Sequence, residues 1–267
     1  MRFRFRARDA IHFPPGKSAN ILRGGFGLIL RSLSDLYPQI FEPRAQAGGP
    51  SGLADRPRPF VFRAAHLDGK TFAPGEQFDF GVNFFDVRNP TRIARIAAVF
   101  EQLGCEGLGP GRGRAEMDPF AAPAEPLELS LDPACRIRRV RVEFVTPTEL
   151  KGADRPEFGV LAARIRDRLS ALRELYDDGP LPIDFRAFAE RARLVSMTGC
   201  DIHEISRTRR SSRTGQSHPI GGFLGEAEYE GDLAGFVPYL EAATWTGVGR
   251  QTVWGKGEIR ISVLESM

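Results

Sequence analysis

The sequence is poor in cysteine and has no long hydrophobic run. Its three cysteines, Cys105, Cys135 and Cys200, are an odd number, lie far apart and form no C-x-x-C pair. Neither a disulfide framework nor a zinc site is therefore expected. No apolar stretch is long enough to span a bilayer, and residues 1–6 lack the apolar core of a signal peptide. We predict a cytoplasmic protein with no metal, no cofactor and no membrane partner.

The chain also lacks a strong excess of either charge. It has 37 Lys and Arg residues against 34 Asp and Glu residues, for a formal net charge of +3. Any surface for nucleic acid must then lie in local clusters of basic residues. Glycosidase-like carboxylate pairs and a serine nucleophile elbow are absent as patterns. With 42% hydrophobic residues over 267 positions, the chain can form one large or two ordinary globular domains.

The first half alternates strand and helix patterns. Its first strand carries Arg at positions 2, 4, 6 and 8 and apolar residues between them, so one face is cationic and the other can pack. That cationic face suits either solvent or an RNA. A glycine-interrupted helical pattern, two strands and a second helix follow, at 18–36, 59–66, 77–85 and from 89. A glycine-rich basic loop at 104–114 and a short strand complete a β-α-β-β-α-β order, which is the ferredoxin-like arrangement.

The second half repeats this order. A Pro/Ala-rich linker is followed by strands predicted at 138–145, 195–205, 220–229 and 258–263 and helices at 158–172, 184–192 and 232–240. Each half thus has a Gly/Arg loop between its second helix and its fourth strand, which favours internal duplication. The predicted fold is α+β, with two tandem ferredoxin-like domains at 1–118 and 135–267 and a linker at 119–134.

The glycine-rich loop at 247–257 is typical of a backbone that approaches a polyanion closely. Its glycines alternate with Arg250, Trp254 and Lys256, which offer two cations and an aromatic face. The spacing is not that of a P-loop, because Lys256 is followed by glycine and the loop precedes a strand. Nucleotide hydrolysis is therefore disfavoured, and a ligand-free connection between helix and strand is the alternative.

The densest cationic segment is 207–213, where four arginines alternate with Ser and Thr hydroxyls. This composition suits phosphate oxygens, and a hairpin carrying it can enter the groove of an RNA stem. The alternative is a solvated turn. Together with both Gly/Arg loops and the first helix, this segment provides our candidate RNA-binding residues: Arg207, Arg209, Arg210, Arg213, Gly247, Gly249, Arg250, Trp254, Lys256, Arg112, Arg114 and Arg23.

Metal-free cleavage of RNA needs a base for the 2′-hydroxyl, an acid for the 5′-oxygen and a cation near the phosphorane. Of the four histidines, His218 is adjacent to the basic hairpin and His66 ends a strand. His203, near Asp201 and Glu204, is more typical of a polar strand end than of a metal site. No spacing singles out one histidine.

The whole set of motifs resembles the CRISPR-associated repeat-processing endoribonucleases of the RAMP superfamily. The resemblance lies in the loop at 247–257, the segment 210–225, Tyr229 with Gly231, the loop at 107–114, and residues 22–24 of the first helix. It implies two ferredoxin-like domains, binding of CRISPR repeat RNA, and metal-independent cutting of precursor crRNA into guide units by 2′-hydroxyl attack.

The resemblance also implies a catalytic histidine just after the first helix. The corresponding segment, 37–59, contains none, which leaves Tyr37, His66 and His218 as the candidate catalytic residues. A catalytically inactive RNA-binding subunit of a CRISPR effector complex, bound to other effector subunits, is the first alternative. An enzyme acting on a small phosphorylated substrate is the second, and the two arginine-rich segments do not fit it.

Overall fold

The computed structural model describes residues 1–33, 35–43, 56–118, 126–133, 137–206, 208–210, 217–219 and 221–266. The chain divides into two compact units. The first is Met1–Leu127 with two short segments, Leu175–Asp177 and Val253–Gly255, and the second is Glu128–Glu174, Asp178–Thr252 and Lys256–Met267. The predicted domains did not include those two short segments in the first half. Of the predicted linker, only 126–133 is within the described residues.

The first unit is a four-stranded antiparallel sheet with helices packed on it. Its elements are β1 Arg2–Ala7, β2 Ile11–His12, α1 Ser18–Leu33, α2 Tyr37–Phe41, β3 Phe60–Arg63, β4 Thr71–Phe72, β5 Gln77–Phe84, α3 Pro90–Glu106 and β6 Ala115–Met117. The main sheet has the order β3-β5-β1-β6, and β2 pairs with β4 in a small second sheet.

The alternation in β1 sets the two faces of this sheet. Phe3, Phe5 and Ala7 are buried while the arginines between them are exposed, as predicted. Phe5 lies opposite Phe78 of β5, and their rings stack with centroids 5.6 Å apart. Aromatic pairs of this kind add to the burial of apolar area. The core of the first unit is therefore rich in phenylalanine.

Glycines within helix α1 make room for neighbouring side chains of the first unit. A Cβ on Gly25 would lie 2.6 Å from Leu103 of α3, and one on Gly27 would lie 3.0 Å from the Phe41 ring. A Cβ on Gly24 would meet nothing within 4 Å. The close approach is therefore made by other parts of the protein, at two of the three glycines.

The second unit repeats the topology. Its elements are β7 Ile137–Thr148, α4 Phe158–Tyr176, α5 Phe185–Ala192, β8 Ser196–Ile205, β9 Thr208–Arg210, β10 Ser217–Pro219, β11 Gly222–Glu230, α6 Val237–Thr246 and β12 Ile259–Ser266. The four long strands have the order β12-β7-β11-β8, and β9 pairs with β10 in a short hairpin. Numbering the four strands of each unit along the chain gives the order 4-1-3-2 in both. The predicted pair of ferredoxin-like folds is confirmed.

Several element boundaries differ from the prediction, and two of the differences have a clear physical reason. Helix α6 begins at Val237, not at 232, because Pro238 lacks an N–H and is tolerated in the first turn of a helix but not in its interior. Strand β7 continues through Pro147 to Thr148, beyond the predicted end at 145. The pairing of β7 with β11 shifts register between Phe223 and Gly225, and prolines in strands are found at such irregularities.

The described cysteines, Cys105 and Cys200, are free thiols. Within the described part of the chain, none of the helices is long and apolar enough to cross a membrane.

Two glycine substitutions should change stability in opposite directions. A Cβ on Gly104 of α3 would lie 2.7 Å from the carbonyl oxygen of Ala115 and 2.9 Å from the Phe5 ring. Gly104→Ala should therefore lower the free energy of unfolding by about 1–3 kcal/mol. Gly24→Ala, the matched control in open space, should raise it by about 0.5–1 kcal/mol. Urea denaturation measures both, and an equal effect of the two changes would contradict the assigned packing of α3.

Candidate nucleic-acid interface

The glycine-rich loop connects α6 to β12, as predicted, and its backbone adopts left-handed conformations. Gly247, Gly249, Gly255 and Gly257 have φ between 70° and 85°, and Gln251 has φ 61°. Glycine adopts such values at no steric cost. The neck of the loop is closed by hydrogen bonds from Val248 N to Gly257 O, 2.9 Å, and from Gly257 N to Pro147 O, 3.1 Å.

Two of these glycines, Gly249 and Gly257, accommodate the protein's own backbone. A Cβ on Gly257 would overlap the carbonyl oxygen of Val248, and one on Gly249 would overlap that of Glu149. The sequence predicted close approach of a polyanion to these positions. The structure accounts for the glycines at 249 and 257 without a ligand, through contacts inside the second unit.

Lys256 is buried at the centre of the loop, with 3% of its side chain exposed. Its ammonium donates to Glu149 Oε2 at 2.9 Å, to Gly221 O at 2.5 Å and to Gln251 Oε1 at 3.1 Å. An ammonium has three protons, and three acceptors are in place. This placement argues against the predicted role of Lys256 as a direct contact to RNA.

Arg250 has the opposite character. Its side chain is 63% exposed, and Nη1 donates to Glu149 Oε1 at 2.8 Å. Its backbone N–H also donates to Glu149 O at 3.0 Å. Arg250 therefore remains a candidate for binding phosphate, while Glu149 joins it to Lys256.

The charges around Glu149 shift two pKa values. Burial raises the pKa of Glu149, but hydrogen bonds and charge from Lys256 and Arg250 outweigh it, so the pKa lies below its ordinary value. Burial lowers the pKa of Lys256, and Glu149 offsets only part of that effect. We infer that the pair is ionised near neutral pH, because each partner favours the charged form of the other.

Three residues of the loop, Val253–Gly255, are grouped with the first unit. Trp254 is half-buried there, and the guanidinium of Arg23 lies 5.9 Å from its ring centroid and 5.3 Å from that of Phe41. Such cation–π contacts order both partners. Two predicted RNA-binding residues, Arg23 and Trp254, are thus brought together.

The predicted arginine hairpin is present as β9 and β10. Arg209 pairs with His218 and Arg210 with Ser217 in the strand register. The structure describes only the backbone at these positions, and Arg207 and Arg213 lie outside the described residues. The hairpin begins and ends beside the Ile205–Gly222 pair, where β8 meets β11.

The other Gly/Arg loop, at 107–114, lies between α3 and β6. Arg112 and Arg114 are both exposed and both have acidic neighbours, Glu106 at 3.8 Å and Asp9 at 2.9 Å. Hydrogen bonds from Arg114 hold the pKa of Asp9 below its ordinary value. Gly109 of this loop lies close to the backbone of His12. A Cβ added at Gly109 would lie 2.7 Å from His12 O.

Two catalytic candidates lie in the first unit. Tyr37 begins α2, directly after α1; its ring stacks on Phe41 with centroids 5.1 Å apart, and the guanidinium of Arg31 lies 4.5 Å from its centroid. His66 was predicted to end a strand, but β3 ends at Arg63. His66 instead lies in a single-turn helix after it and is exposed. Its Nε2 lies 2.8 Å from Asp79 O and 3.3 Å from Asp79 Oδ1. His218 is on β10 in the second unit.

The cationic face of β1 is largely paired within its own sheet. Arg2 donates to Asp79, Arg4 lies 3.6 Å from Asp118, and Arg8 pairs with Glu116. Arg6 donates to the carbonyl of Gly75. Of the two interpretations of this face, the pairing favours solvated charge.

Sequence reasoning did not identify Glu149, Gln251 and Gly221 as the partners that hold Lys256. Glu149 is 107 positions from Lys256, and no local motif marks such a partner. The described residues form no group of three or more His, Cys, Asp or Glu side chains that could hold a metal ion.

Two family models match the chain. Residues 1–125 match a model described as an N-terminal domain, and residues 142–259 match the model of the CRISPR-associated endoribonuclease Cas6. The second match includes the arginine hairpin and the glycine-rich loop. No curated protein sequence matches the chain.

Solved structures of low sequence identity share the fold. A Cas6 product complex is 18% identical, with a TM-score of 0.63 over 98% of this chain and 100% of that one. Cas6 of Thermus thermophilus is 16% identical, with a TM-score of 0.57 over 98% of each chain. A RAMP protein described as binding different RNA substrates is 11% identical, with a TM-score of 0.53 over 98% of each.

The Cas6 family match and the common fold agree with the motifs of the sequence. The predicted resemblance to the CRISPR-associated repeat-processing endoribonucleases of the RAMP superfamily is confirmed.

Proposed function

We propose that this protein binds CRISPR repeat RNA and cuts precursor crRNA into guide units without a metal ion. The observation that carries the proposal is the match of residues 142–259 to the Cas6 endoribonuclease family, since it includes both basic segments of the second unit. Solved structures with the same fold include a Cas6 product complex and a Cas6 substrate mimic complex.

The chemistry needs no cofactor. The 2′-oxygen attacks the adjacent phosphorus, the bond from phosphorus to the 5′-oxygen breaks, and the products are a 2′,3′-cyclic phosphate and a 5′-hydroxyl. A base removes the proton of the 2′-hydroxyl and an acid supplies one to the 5′-oxygen. Cations near the phosphorane stabilise its charge. Side chains of His, Tyr, Arg and Lys are sufficient for these roles.

Tyr37 occupies the place after the first helix where the resemblance implies a catalytic histidine. The contacts of its ring with Phe41 and Arg31 fix the direction of the phenol. A neutral phenol can donate a hydrogen bond. Tyr37 can therefore act as the general acid or donate a hydrogen bond to the phosphorane. Arg31, half-exposed beside it, brings a positive charge to the same place.

His66 has the geometry of a base. The carbonyl of Asp79 can only accept a hydrogen bond, so in neutral His66 the proton is on Nε2 and the lone pair is on Nδ1. The Asp79 carboxylate, itself bonded to Arg2, stabilises the imidazolium that forms. A fixed tautomer with an accessible lone pair is the arrangement that proton abstraction requires. His218 is retained as a candidate because of its place on the arginine hairpin.

One observation favours the alternative, a catalytically inactive RNA-binding subunit of a CRISPR effector complex. No histidine occurs in 37–59, where the resemblance implies the catalytic one. Such a subunit would bind repeat RNA stoichiometrically, leave it intact, and copurify with other effector subunits.

Cleavage should proceed without a metal ion and should require the 2′-hydroxyl at the cut. Under single-turnover conditions, excess protein should cut labelled repeat RNA in EDTA. A single 2′-deoxy nucleotide at the mapped cut should abolish cleavage. Both follow if the 2′-oxygen is the nucleophile and side chains supply the protons. Tight binding without a cut would support the inactive subunit, and loss of cleavage in EDTA alone would contradict metal independence.

Single-turnover rates of variants should rank the catalytic candidates. Loss of a general acid or base should lower the single-turnover rate by about 10²–10⁴-fold with little change in RNA affinity. We expect this of His66→Ala and of Tyr37→Phe, which removes only a hydroxyl and keeps the stacked ring. His12→Ala, another exposed histidine of the first unit, is the control and should keep the full rate. Full activity in both test variants would transfer the assignment to His218.

The salt dependence of RNA binding tests the role of the arginine hairpin. Arg209→Ala with Arg210→Ala should weaken binding of repeat RNA and flatten its salt dependence, by about 0.7–0.9 in log–log slope for each phosphate that is no longer neutralised. Arg186→Ala with Arg193→Ala removes the same charge from α5 and the residue after it, and should leave the slope nearly unchanged. Equal slopes for the two double variants would remove the hairpin from the RNA-binding surface.

A further inference from the structure

Two segments assigned to RNA in the second unit meet at one buried ammonium. Lys256 belongs to the glycine-rich loop, while one of its acceptors, Gly221 O, lies where the chain leaves the arginine hairpin. The neighbouring residue, Gly222, pairs with Ile205 on the other side of the hairpin base. The hydrogen bond from Lys256 to Gly221 therefore joins the loop to the base of the hairpin.

The remaining bonds of Lys256 fix that junction. Glu149, immediately after β7, accepts from the ammonium and receives a backbone hydrogen bond from Arg250. Gln251, held at positive φ within the loop, supplies the third acceptor. One side chain thus ties the end of a central strand, the loop and the exit of the hairpin to each other.

The hairpin needs such support. Its strands have three residues each, and an isolated two-stranded hairpin is marginally stable in water. Binding RNA with a segment that must first be ordered costs affinity, whereas a preorganised segment avoids this cost. A buried lysine whose protons are all used can provide order but cannot provide a phosphate contact.

We propose that Lys256 is a positioning residue that holds the glycine-rich loop and the arginine hairpin in a fixed relation, so that both engage one RNA. The proposal rests on the RNA-binding function proposed above. It differs from the role predicted for Lys256 by its motif, in which the ammonium itself contacts phosphate.

The test variant is Lys256→Met, which keeps a side chain of similar length and removes the charge and the three hydrogen bonds. Glu149 retains Arg250 as a partner, so no buried carboxylate is left unpaired. The matched control is Arg250→Met, which removes a cation from the same carboxylate and keeps the bond from Lys256 to the hairpin base. Glu149→Gln is the second variant, because its amide oxygen can still accept from Lys256.

Amide hydrogen exchange without RNA measures the junction itself. Lys256→Met should raise exchange about tenfold or more at both 247–257 and the hairpin base, 205–222, while Arg250→Met should leave the hairpin base unchanged. Glu149→Gln should have an intermediate effect. Unchanged exchange at the hairpin base in Lys256→Met would overturn the proposal.

RNA binding measures the consequence. Lys256→Met should reduce the salt slope by more than the value of one neutralised phosphate, and its effect on affinity should not add to that of Arg209→Ala with Arg210→Ala, because both disable the same hairpin. A slope reduced by the value of about one phosphate, with an effect on affinity additive to that of the hairpin variant, would identify Lys256 as a direct ligand of RNA and overturn the proposal. If wild-type protein binds no repeat RNA but the exchange result holds, the proposed function fails while the junction stands.

Discussion

A single buried ammonium joins three separate parts of the second unit. Taking a charge out of water is costly unless it is paired and fully hydrogen-bonded, and Lys256 meets that condition only when Glu149, Gly221 and Gln251 converge on it. Convergence in turn requires the loop to follow its unusual path, with five residues at positive φ. The glycines and the lysine are therefore parts of one requirement: glycine permits the path and the ion pair selects it.

Much of the fold could be predicted because its causes are local or periodic. The alternation in β1 and the helical spacing in α3 and α4 determine which side chains face a core, and the repeated order of elements predicts the topology. The end of β7 was predicted wrongly because residues distant in the sequence determine it. Strand β7 passes through Pro147 because the Glu258–Thr146 and Gly257–Pro147 bonds hold its end. The start of α6, in contrast, could have been predicted from Pro238 alone, although it was placed at 232.

The site was less predictable, for a physical reason. A missing Cβ is required equally when backbone approaches a phosphate and when it approaches another stretch of backbone. The sequence indicates that another group lies close to the backbone of Gly249 and Gly257. In the structure these groups are the carbonyls of Glu149 and Val248. In the same way a lysine within a glycine-rich loop looks like an anion ligand until a carboxylate 107 positions away is found beside it.

The described cations of the predicted interface differ in what binding RNA would cost them. Arg250, Arg112 and Arg114 are exposed and paired with Glu149, Glu106 and Asp9. Exposed ion pairs contribute little to stability and are screened by salt. A phosphate can replace such a carboxylate at little cost, since one anion is exchanged for another. Withdrawing Lys256 would instead leave the partly buried oxygens of Gly221 and Gln251 without this donor, and Glu149 with Arg250 alone. We therefore expect RNA phosphates to replace the carboxylate partners of the exposed arginines, while the hydrogen bonds of Lys256 stay in place.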